Sequence, residues 1–252
     1  IGAAVKIPNG LELWGIDSGV RHAVVGSDYT SVRVGAFMGY RMIGEYAGLD
    51  TKYVADCLVE INDGRWHGYL ANVSPAEYEN EFSSKIPVSI SGEEFLASYG
   101  GTTDIVTRID PARIYAVRAP TEHAIYESAR VQSFAKLLGD PTDEADVDEL
   151  GELMFGSHKS YAACGLTEPR TDRIVELVRE HRGEGLYGAR ITGGGSGGTV
   201  AILARHGSRE TISQLAEQFG KELRQKPYIF HGSSPGCAAF GHLRLSSAEA
   251  RA

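Results

Sequence analysis

The sequence predicts an α+β domain in which an antiparallel sheet carries helices packed on one side. Three consecutive segments between residues 120 and 183 repeat apolar residues at helical spacing. Directly after them, two strand-like runs rich in apolar residues, at 186–192 and 199–204, flank a glycine-rich loop. Blocks of helices and blocks of strands in one chain are typical of a sheet with its helices segregated to one face.

The composition is that of an acidic globular protein. Of its 252 residues, 42% are hydrophobic and 23% are charged, and this length suits one large domain or two modest ones with a buried core. The 25 Lys and Arg residues against 33 Asp and Glu residues give a formal net charge of −8, which disfavours nucleic-acid binding. No run approaches the ~18 apolar residues of a membrane-spanning helix.

The three cysteines are Cys57, Cys164 and Cys237, an odd number at wide spacings. This usage predicts a reducing, cytoplasmic setting, and it indicates neither a disulfide framework nor a zinc site. The chain begins with Ile1 rather than Met and enters a strand-like run almost at once. We therefore expect the sequence to be the later part of a longer polypeptide.

The first elements are short strands and a long helix. Apolar-rich runs at 4–8 and 11–17 are separated by Asn9-Gly10, and this dipeptide favours a hairpin turn because both central residues tolerate positive φ. A broad apolar stripe then predicts a helix that begins at Ser27 or Asp28 and ends at Tyr46, before Gly48. Residues 50–115 predict loops and one or two short helices.

The later elements have clearer signals, with a strand expected near 113–117. Three helices are predicted, each opened by a segment containing proline and acidic residues and closed by glycine. They run from Pro120 to Leu138, from Pro141 to Gly165 and from Thr167 to Gly183. Beyond the glycine-rich loop, Ser208 opens an amphipathic helix, and Pro227–His231 and Phe240–Leu245 are the expected closing strands.

The glycine-rich loop lies in the sequence ITGGGSGGTVAIL, residues 191–203. Gly193, Gly195 and Gly198 formally satisfy G-x-G-x-x-G, the dinucleotide-binding pattern, but that loop must be followed by a helix. Here the following Thr199–Leu203 favours a strand, and no Gly-Lys-Ser/Thr sequence is present. We therefore reject a Rossmann oxidoreductase and a Walker loop.

Two interpretations of this loop stay open. Glycines at these positions could simply permit a sharp chain reversal. Alternatively, bare backbone lets a ligand or a phosphate-holding loop approach closely, with amide N–H groups available to anionic oxygens. Five glycines in the six positions 193–198 are more freedom than a turn requires, which favours the second interpretation.

Several motifs together resemble the GHMP kinases. The sequence ITGGGSGGTVAIL resembles their third conserved motif, and IDSGVRH at 16–22 with GSDY at 26–29 resembles the galactokinase segment that enters the sugar site. The sequences LMFGSHKSYAACGL and TDRIVELV, at 153–166 and 171–178, are similar to the Ser-His segment and following helix of sugar 1-kinases. Two further sequences look closest to arabinokinases: VRAPTEHAIYE at 117–127 and FHGSSPGCAAFGHLRL at 230–245.

The resemblance implies a GHMP kinase C-terminal domain and transfer of the γ-phosphoryl group of ATP, with Mg²⁺, to a monosaccharide. The expected acceptor is the anomeric hydroxyl, with L-arabinose preferred and galactose next. The family's phosphate loop (P-x-x-x-G-L-S-S-S), its catalytic Asp and its Arg–Asn–Gly–Glu-type segment are all absent from these residues, so no catalytic residue is assigned.

We expect residues 1–252 to be the C-terminal portion of such a kinase, and its partner to be the missing N-terminal half. Residues 1–25 are expected to complete the edge of the N-terminal domain. The alternative is a non-catalytic sugar-binding or regulatory module.

Two residues are carried over to the sugar side. Tyr29, in GSDY, matches a family tyrosine whose hydroxyl contacts the sugar, and the alternative is an ordinary tyrosine at a helix start. Arg21 matches the arginine of the family's V-R-H segment, with a salt bridge to Asp17 or Asp28 as an equal alternative. We interpret the neighbouring His22 as structural.

On the nucleotide side, the resemblance assigns Gly193, Gly194, Gly195, Ser196 and Gly197 to the loop that shapes the phosphate loop across the cleft. The Ser196 hydroxyl is a candidate phosphate donor, although serine in such turns as often binds local backbone.

A Ser/His nucleophile at Ser157 and His158 is disfavoured, because adjacent helical residues point about 100° apart. His158 lies on the apolar stripe and is expected to be a core histidine. No metal ligands are assigned.

Overall fold

The computed structural model describes residues 6–21, 27–232, 239 and 241–242. No helix in these ranges combines the length and apolar character needed to cross a membrane. A 3-10 helix lies at Leu70–Asn72. The other elements of the described part, in chain order, are β1 (Leu11–Asp17), α1 (Ser27–Tyr46), β2 (Thr51–Ala55), β3 (Cys57–Ile61), α2 (Pro75–Glu81), β4 (Ser89–Ser91), α3 (Gly92–Tyr99), β5 (Gly101–Thr102), β6 (Ile114–Ala116), α4 (Arg118–Gly139), α5 (Glu144–Ala163), α6 (Pro169–Glu180), β7 (Leu186–Ile191), β8 (Thr199–Arg205), α7 (Arg209–Leu223) and β9 (Ile229–His231).

The main sheet is antiparallel and has the strand order β7-β8-β1-β9. Its two long inner strands pair over their full length, from Leu11 opposite Arg205 to Asp17 opposite Thr199. The α+β class with an antiparallel sheet is therefore confirmed, but the helices are not confined to one side of the sheet as expected, because apolar residues on both of its faces pack against helices. The glycine-rich loop joins β7 to β8, at the end of the sheet where β1 also finishes.

The predicted hairpin around Asn9-Gly10 is wrong. Residues 6–8 form no strand, and Asn9 and Gly10 lie in a turn closed by the Leu11 amide donating to the Pro8 carbonyl at 2.9 Å. One edge of β1 is occupied by β8 along its whole length, and the other is occupied by β9 from Trp14 to Ile16.

Alternation along β8 places apolar side chains on both faces of the sheet. Val200 and Ile202 face the helices α6 and α7, in a cluster with Ile174, Leu177 and Phe219 that forms the main core. On the opposite face, Leu203 packs in a smaller cluster with residues from the end of α4 and the first half of α5. The members of that cluster are Leu11, Leu138, Val147, Leu150, Met154, Tyr187 and Leu203.

A second large core surrounds α1. Met38 and Ile43 of this helix are fully buried, and they pack among aromatic side chains that include Trp66 and Phe95. The helix α4 belongs to both halves of the molecule, because Ile125 near its start lies in this core and Leu138 near its end lies against the sheet.

The predicted helices are confirmed as α1, α4, α5, α6 and α7, and the strand expected near 113–117 is β6. The segment 50–115 holds α2, α3 and two small sheets, of order β2-β3-β5 and β4-β6. Of the two closing strands, the first is β9. The second, Phe240–Leu245, lies outside the described residues apart from positions 241 and 242.

Candidate functional site

The glycine-rich loop has a backbone that side chains would obstruct. Its φ angles are positive at four glycines and at Ser196, which adopts φ 59°. A Cβ atom at Gly195 would lie 2.4 Å from the carbonyl oxygen of Leu166, and one at Gly197 would lie 2.9 Å from Cγ1 of Val20. Glycine is therefore required at both positions by close approach of neighbouring chain as well as by conformation.

Hydrogen bonds hold this loop from two sides. The Ser196 amide donates to the Leu166 carbonyl at 2.8 Å, just beyond the end of α5. On the other side, the Gly198 amide donates to the Val20 carbonyl at 3.0 Å, and the Ser18 amide donates to the Gly198 carbonyl at 2.9 Å. The loop is thus clamped between the segment after β1 and the segment after α5.

The first two glycines of the loop are accessible. Among the described residues, the N–H groups of Gly193, Gly194, Gly195 and Gly197 make no hydrogen bond; Gly193 is exposed and Gly194 half-buried, whereas Gly195 and Gly197 are buried. Successive unpaired amides in such turns can donate to anionic oxygens, so the backbone fits a phosphate-facing role. Among the described residues, no group of three or more His, Cys, Asp or Glu side chains could hold a metal ion.

Ser157 and His158 are structural. His158 is buried; the Ile191 amide donates to its Nδ1 at 3.2 Å, and its Nε2 lies 3.0 Å from the Asp172 carboxylate. Because Nδ1 accepts a hydrogen bond, the proton sits on Nε2. Burial lowers the pKa of His158, although Asp172 opposes the shift. Ser157 donates its hydroxyl hydrogen to Glu127.

The residues predicted for the sugar side are both accessible. Tyr29 lies in the first turn of α1 with 46% of its surface exposed, and Arg21 is exposed directly after Val20, which binds the glycine-rich loop. In the described part of the chain, no ion pair joins Arg21 to Asp17, whose carboxylate accepts from the Gly19 amide at 3.0 Å. His22 and the side chain of Asp28 lie outside the described residues.

One turn after Tyr29, an arginine fixes a neighbouring loop to α1. Arg33 donates through Nε and Nη2 to both oxygens of Asp104, each at 2.8 Å, and the Asp104 side chain has no exposed surface. Burial alone would raise the pKa of Asp104, but the hydrogen bonds from Arg33 and Thr107 outweigh it and lower the pKa to about 2. Sequence analysis missed this pair, because its members are 71 positions apart and match no motif.

Sequence analysis also missed a polar group beneath the glycine-rich loop. The Tyr161 hydroxyl donates to the Gly193 carbonyl at 3.0 Å, and Arg190 and Glu127 form an ion pair at 3.1 Å beside it. Tyr161 stands at helical spacing with the apolar residues Leu150 and Met154 of α5, but this spacing does not show what its hydroxyl contacts.

Residues 135–224 match the family described as GHMP kinases C terminal. The chain contains a GHMP kinase C-terminal domain. Over nearly its whole length, the chain is 40% identical to L-arabinokinase from Arabidopsis thaliana, in an alignment that covers 96% of this chain and 25% of that protein. It is 31% identical to galactokinase from Thermotoga petrophila, over 63% of this chain and 47% of that protein. The chain thus spans about a quarter to a half of the length of these curated relatives.

The fold of this chain also matches a solved structure. The crystal structure of Lactococcus lactis galactokinase complexed with galactose superimposes with a TM-score of 0.59, covering 90% of this chain and 46% of that one, at 16% sequence identity. At this identity the likeness shows the fold alone.

Proposed function

We propose that this chain supplies the C-terminal part of an ATP-dependent sugar kinase that phosphorylates the anomeric hydroxyl of a monosaccharide. L-Arabinose is the preferred substrate and galactose the next. The observation that carries the proposal is the 40% identity to L-arabinokinase over 96% of the chain, against 31% over 63% for galactokinase.

The chemistry suits a chain that contributes positioning. Phosphoryl transfer depends on alignment of the two substrates and on stabilisation of charge. On the nucleotide side, Gly193 and Gly194 are accessible, and their N–H groups are the candidate donors to phosphate oxygens. On the sugar side, Arg21 and Tyr29 are the candidate contacts, and the bond from Gly198 to Val20 joins the two sides directly.

The remaining machinery belongs, in this proposal, to the N-terminal half. That half would carry the phosphate loop, the catalytic base and the ligands of Mg²⁺. The expectation that residues 1–25 complete its edge is not kept, because β1 lies within them and is an inner strand of this chain's own main sheet. The assembled enzyme would work in the cytoplasm. ATP would lie between the two halves, against residues 193–197.

A second candidate is a non-catalytic sugar-binding or regulatory module derived from such kinases. Under this hypothesis the sequence P-x-x-x-G-L-S-S-S, which these 252 residues do not contain, is missing from the whole protein as well. Under this hypothesis the chain binds a sugar without transferring phosphate.

One experiment separates the two. ADP release is measured with L-arabinose, galactose and other monosaccharides, for the 252-residue chain alone and for a polypeptide that joins it to a kinase N-terminal half. Activity of the joined polypeptide, greatest with L-arabinose, supports the kinase. Sugar binding by calorimetry without ADP release from either protein supports the binding module.

A further inference from the structure

The hydroxyl of Tyr161 holds the first peptide unit of the glycine-rich loop. Tyr161 is half-buried in the last turn of α5, and its hydroxyl donates to the Gly193 carbonyl at 3.0 Å. A peptide unit is planar and trans, so its C=O and the following N–H point in opposite directions. The bond from Tyr161 therefore also fixes the direction of the Gly194 N–H.

This restraint matters because the unit lies between two glycines. Without a Cβ on either side, the Gly193–Gly194 peptide can rotate at low steric cost. The Gly194 N–H is one of the amides that have no acceptor within the described residues. A rotated peptide would present a carbonyl oxygen where an amide now stands, and it would repel an anion.

The Tyr161 ring is itself held in place. The Arg190 guanidinium carbon lies 5.4 Å from the ring centroid, and the His123 ring contacts Tyr161 edge-on with centroids 4.9 Å apart. His123 is in turn fixed by Ser160, whose hydroxyl lies 2.8 Å from Nδ1.

Arg190 is fixed by a carboxylate below it. Its Nη1 lies 3.1 Å from Glu127, whose side chain is only 16% exposed and also accepts from Ser157 and Arg130. Through Nε, Arg190 donates to the Ile191 carbonyl at 3.0 Å. The same guanidinium therefore contacts both the ring of Tyr161 and the backbone that leads into the loop.

We propose that Tyr161 is a positioning residue for nucleotide binding, which holds the Gly193–Gly194 peptide so that its N–H faces the phosphates of ATP. Glu127 and Arg190 support it by holding the ring. The proposal rests on the proposed function, since it takes ATP as the ligand of the loop.

The test compares Tyr161→Phe with Tyr187→Phe. The control residue lies on β7, and its hydroxyl donates to Glu144 at 2.9 Å and accepts from Arg205 at 3.3 Å, away from the loop. In the complete kinase, Tyr161→Phe is expected to raise KM for ATP about three- to tenfold, the worth of one neutral hydrogen bond. KM for the sugar should stay within twofold, and Tyr187→Phe should change neither constant.

A second measurement does not depend on activity. It follows hydrogen exchange of the Ser196 and Gly198 amides in the 252-residue chain. These two amides donate the hydrogen bonds that hold the loop to Leu166 and Val20. Tyr161→Phe should accelerate their exchange at an unchanged thermal midpoint, and Tyr187→Phe should not. Unchanged exchange overturns the positioning role, and faster exchange with an unchanged KM for ATP overturns its link to the nucleotide. An inactive wild-type kinase would instead refute the proposed function, and the exchange data would still decide the role of Tyr161.

Discussion

The hydroxyl of Tyr29 can be separated from its ring by substitution. If it contacts the sugar, Tyr29→Phe in the complete kinase should raise KM for the sugar about three- to tenfold, because one hydrogen bond is lost. KM for ATP should be unchanged. Steady-state kinetics with each substrate varied in turn provide the measurement.

A matched control for Tyr29 is Tyr53→Phe. Tyr53 lies on β2 with 60% of its surface exposed, and its hydroxyl contacts only the nearby Asp56 among the described residues. If both Tyr29→Phe and Tyr53→Phe show wild-type kinetics, Tyr29 is an ordinary surface tyrosine at a helix start.

At the same scale, His158 links three elements through its ring. It accepts from Ile191 at the end of β7 and lies against Asp172 of α6, from its place on α5. His158→Leu leaves a buried N–H without an acceptor, so we expect the free energy of unfolding at pH 7 to fall by about 1–3 kcal/mol. Urea denaturation followed by circular dichroism measures it.

The substitution at His158 should also change how stability depends on pH. Its pKa in the folded protein lies below the ordinary value, so the unfolded chain binds a proton first as the pH falls. The wild-type protein should therefore lose stability from about pH 6.5 downward, until the folded-state pKa has been passed. The His158→Leu variant should lose less stability over this range. Equal slopes of the free energy of unfolding against pH in the two proteins would contradict a buried neutral imidazole at position 158. The pKa of His123 is also lowered by burial, but this group is present in both proteins and cancels in the comparison.

Between elements, glycines set how closely helices approach their neighbours. A Cβ at Gly151 of α5 would lie 2.1 Å from the Tyr187 carbonyl oxygen of β7. Gly35 of α1 stands in the same relation to the carbonyl of Ala116, at 2.0 Å, and one turn later Gly39 meets the Thr121 side chain of α4. These contacts bring α5 onto the edge strand of the main sheet and α1 onto α4.

The contact at Gly151 predicts opposite outcomes for two substitutions in one helix. Gly151→Ala must push α5 away from β7, and we expect it to lower the free energy of unfolding by about 1–3 kcal/mol. Gly156→Ala meets only the flexible Arg130 side chain, at 3.3 Å, and should be neutral or stabilise by up to ~1 kcal/mol. The urea midpoints of the two variants are compared with that of the wild-type protein. Similar midpoints for Gly151→Ala and Gly156→Ala would contradict the close packing of α5 on β7.

The elements differ in how far their sequence determines them. Helices α4 to α7 follow from apolar stripes and caps, which are local signals. The hairpin at Asn9-Gly10 was wrongly predicted, because a turn signal does not show which strand pairs with the next. A glycine inside a helix looks unfavourable until its partner is known, so the role of Gly151 is visible only in the fold.

The candidate site divides in the same way. Residues 193–197 were predicted from one continuous motif. The hydrogen bonds that the loop amides donate to the carbonyls of Leu166 and Val20 depend on tertiary packing, which no local pattern encodes. The same holds for the bond from the Tyr161 hydroxyl to Gly193, 32 positions away.

At the scale of the whole molecule, one long helix joins the core around α1 to the main sheet. The core around α1 contains Trp66, and the core between the sheet and helices α6 and α7 contains Trp14. The helix α4 runs from the first core, at Ile125, to the sheet, at Leu138. Because its residues are buried in both halves, unfolding of one half would remove packing from the other.

This continuity predicts a single cooperative transition, and the two tryptophans of the chain report it separately. Trp14→Phe leaves a fluorophore only in the core around α1, and Trp66→Phe leaves one only beside the sheet. In each variant the urea midpoint by fluorescence should coincide with the midpoint by circular dichroism, because coincident probes are the mark of two-state unfolding. The comparison is made within each variant, so any stability lost through the substitution itself cancels. Separate midpoints would mean that α4 does not couple the cores, and the glycine-rich loop would then depend on the stability of the sheet half alone.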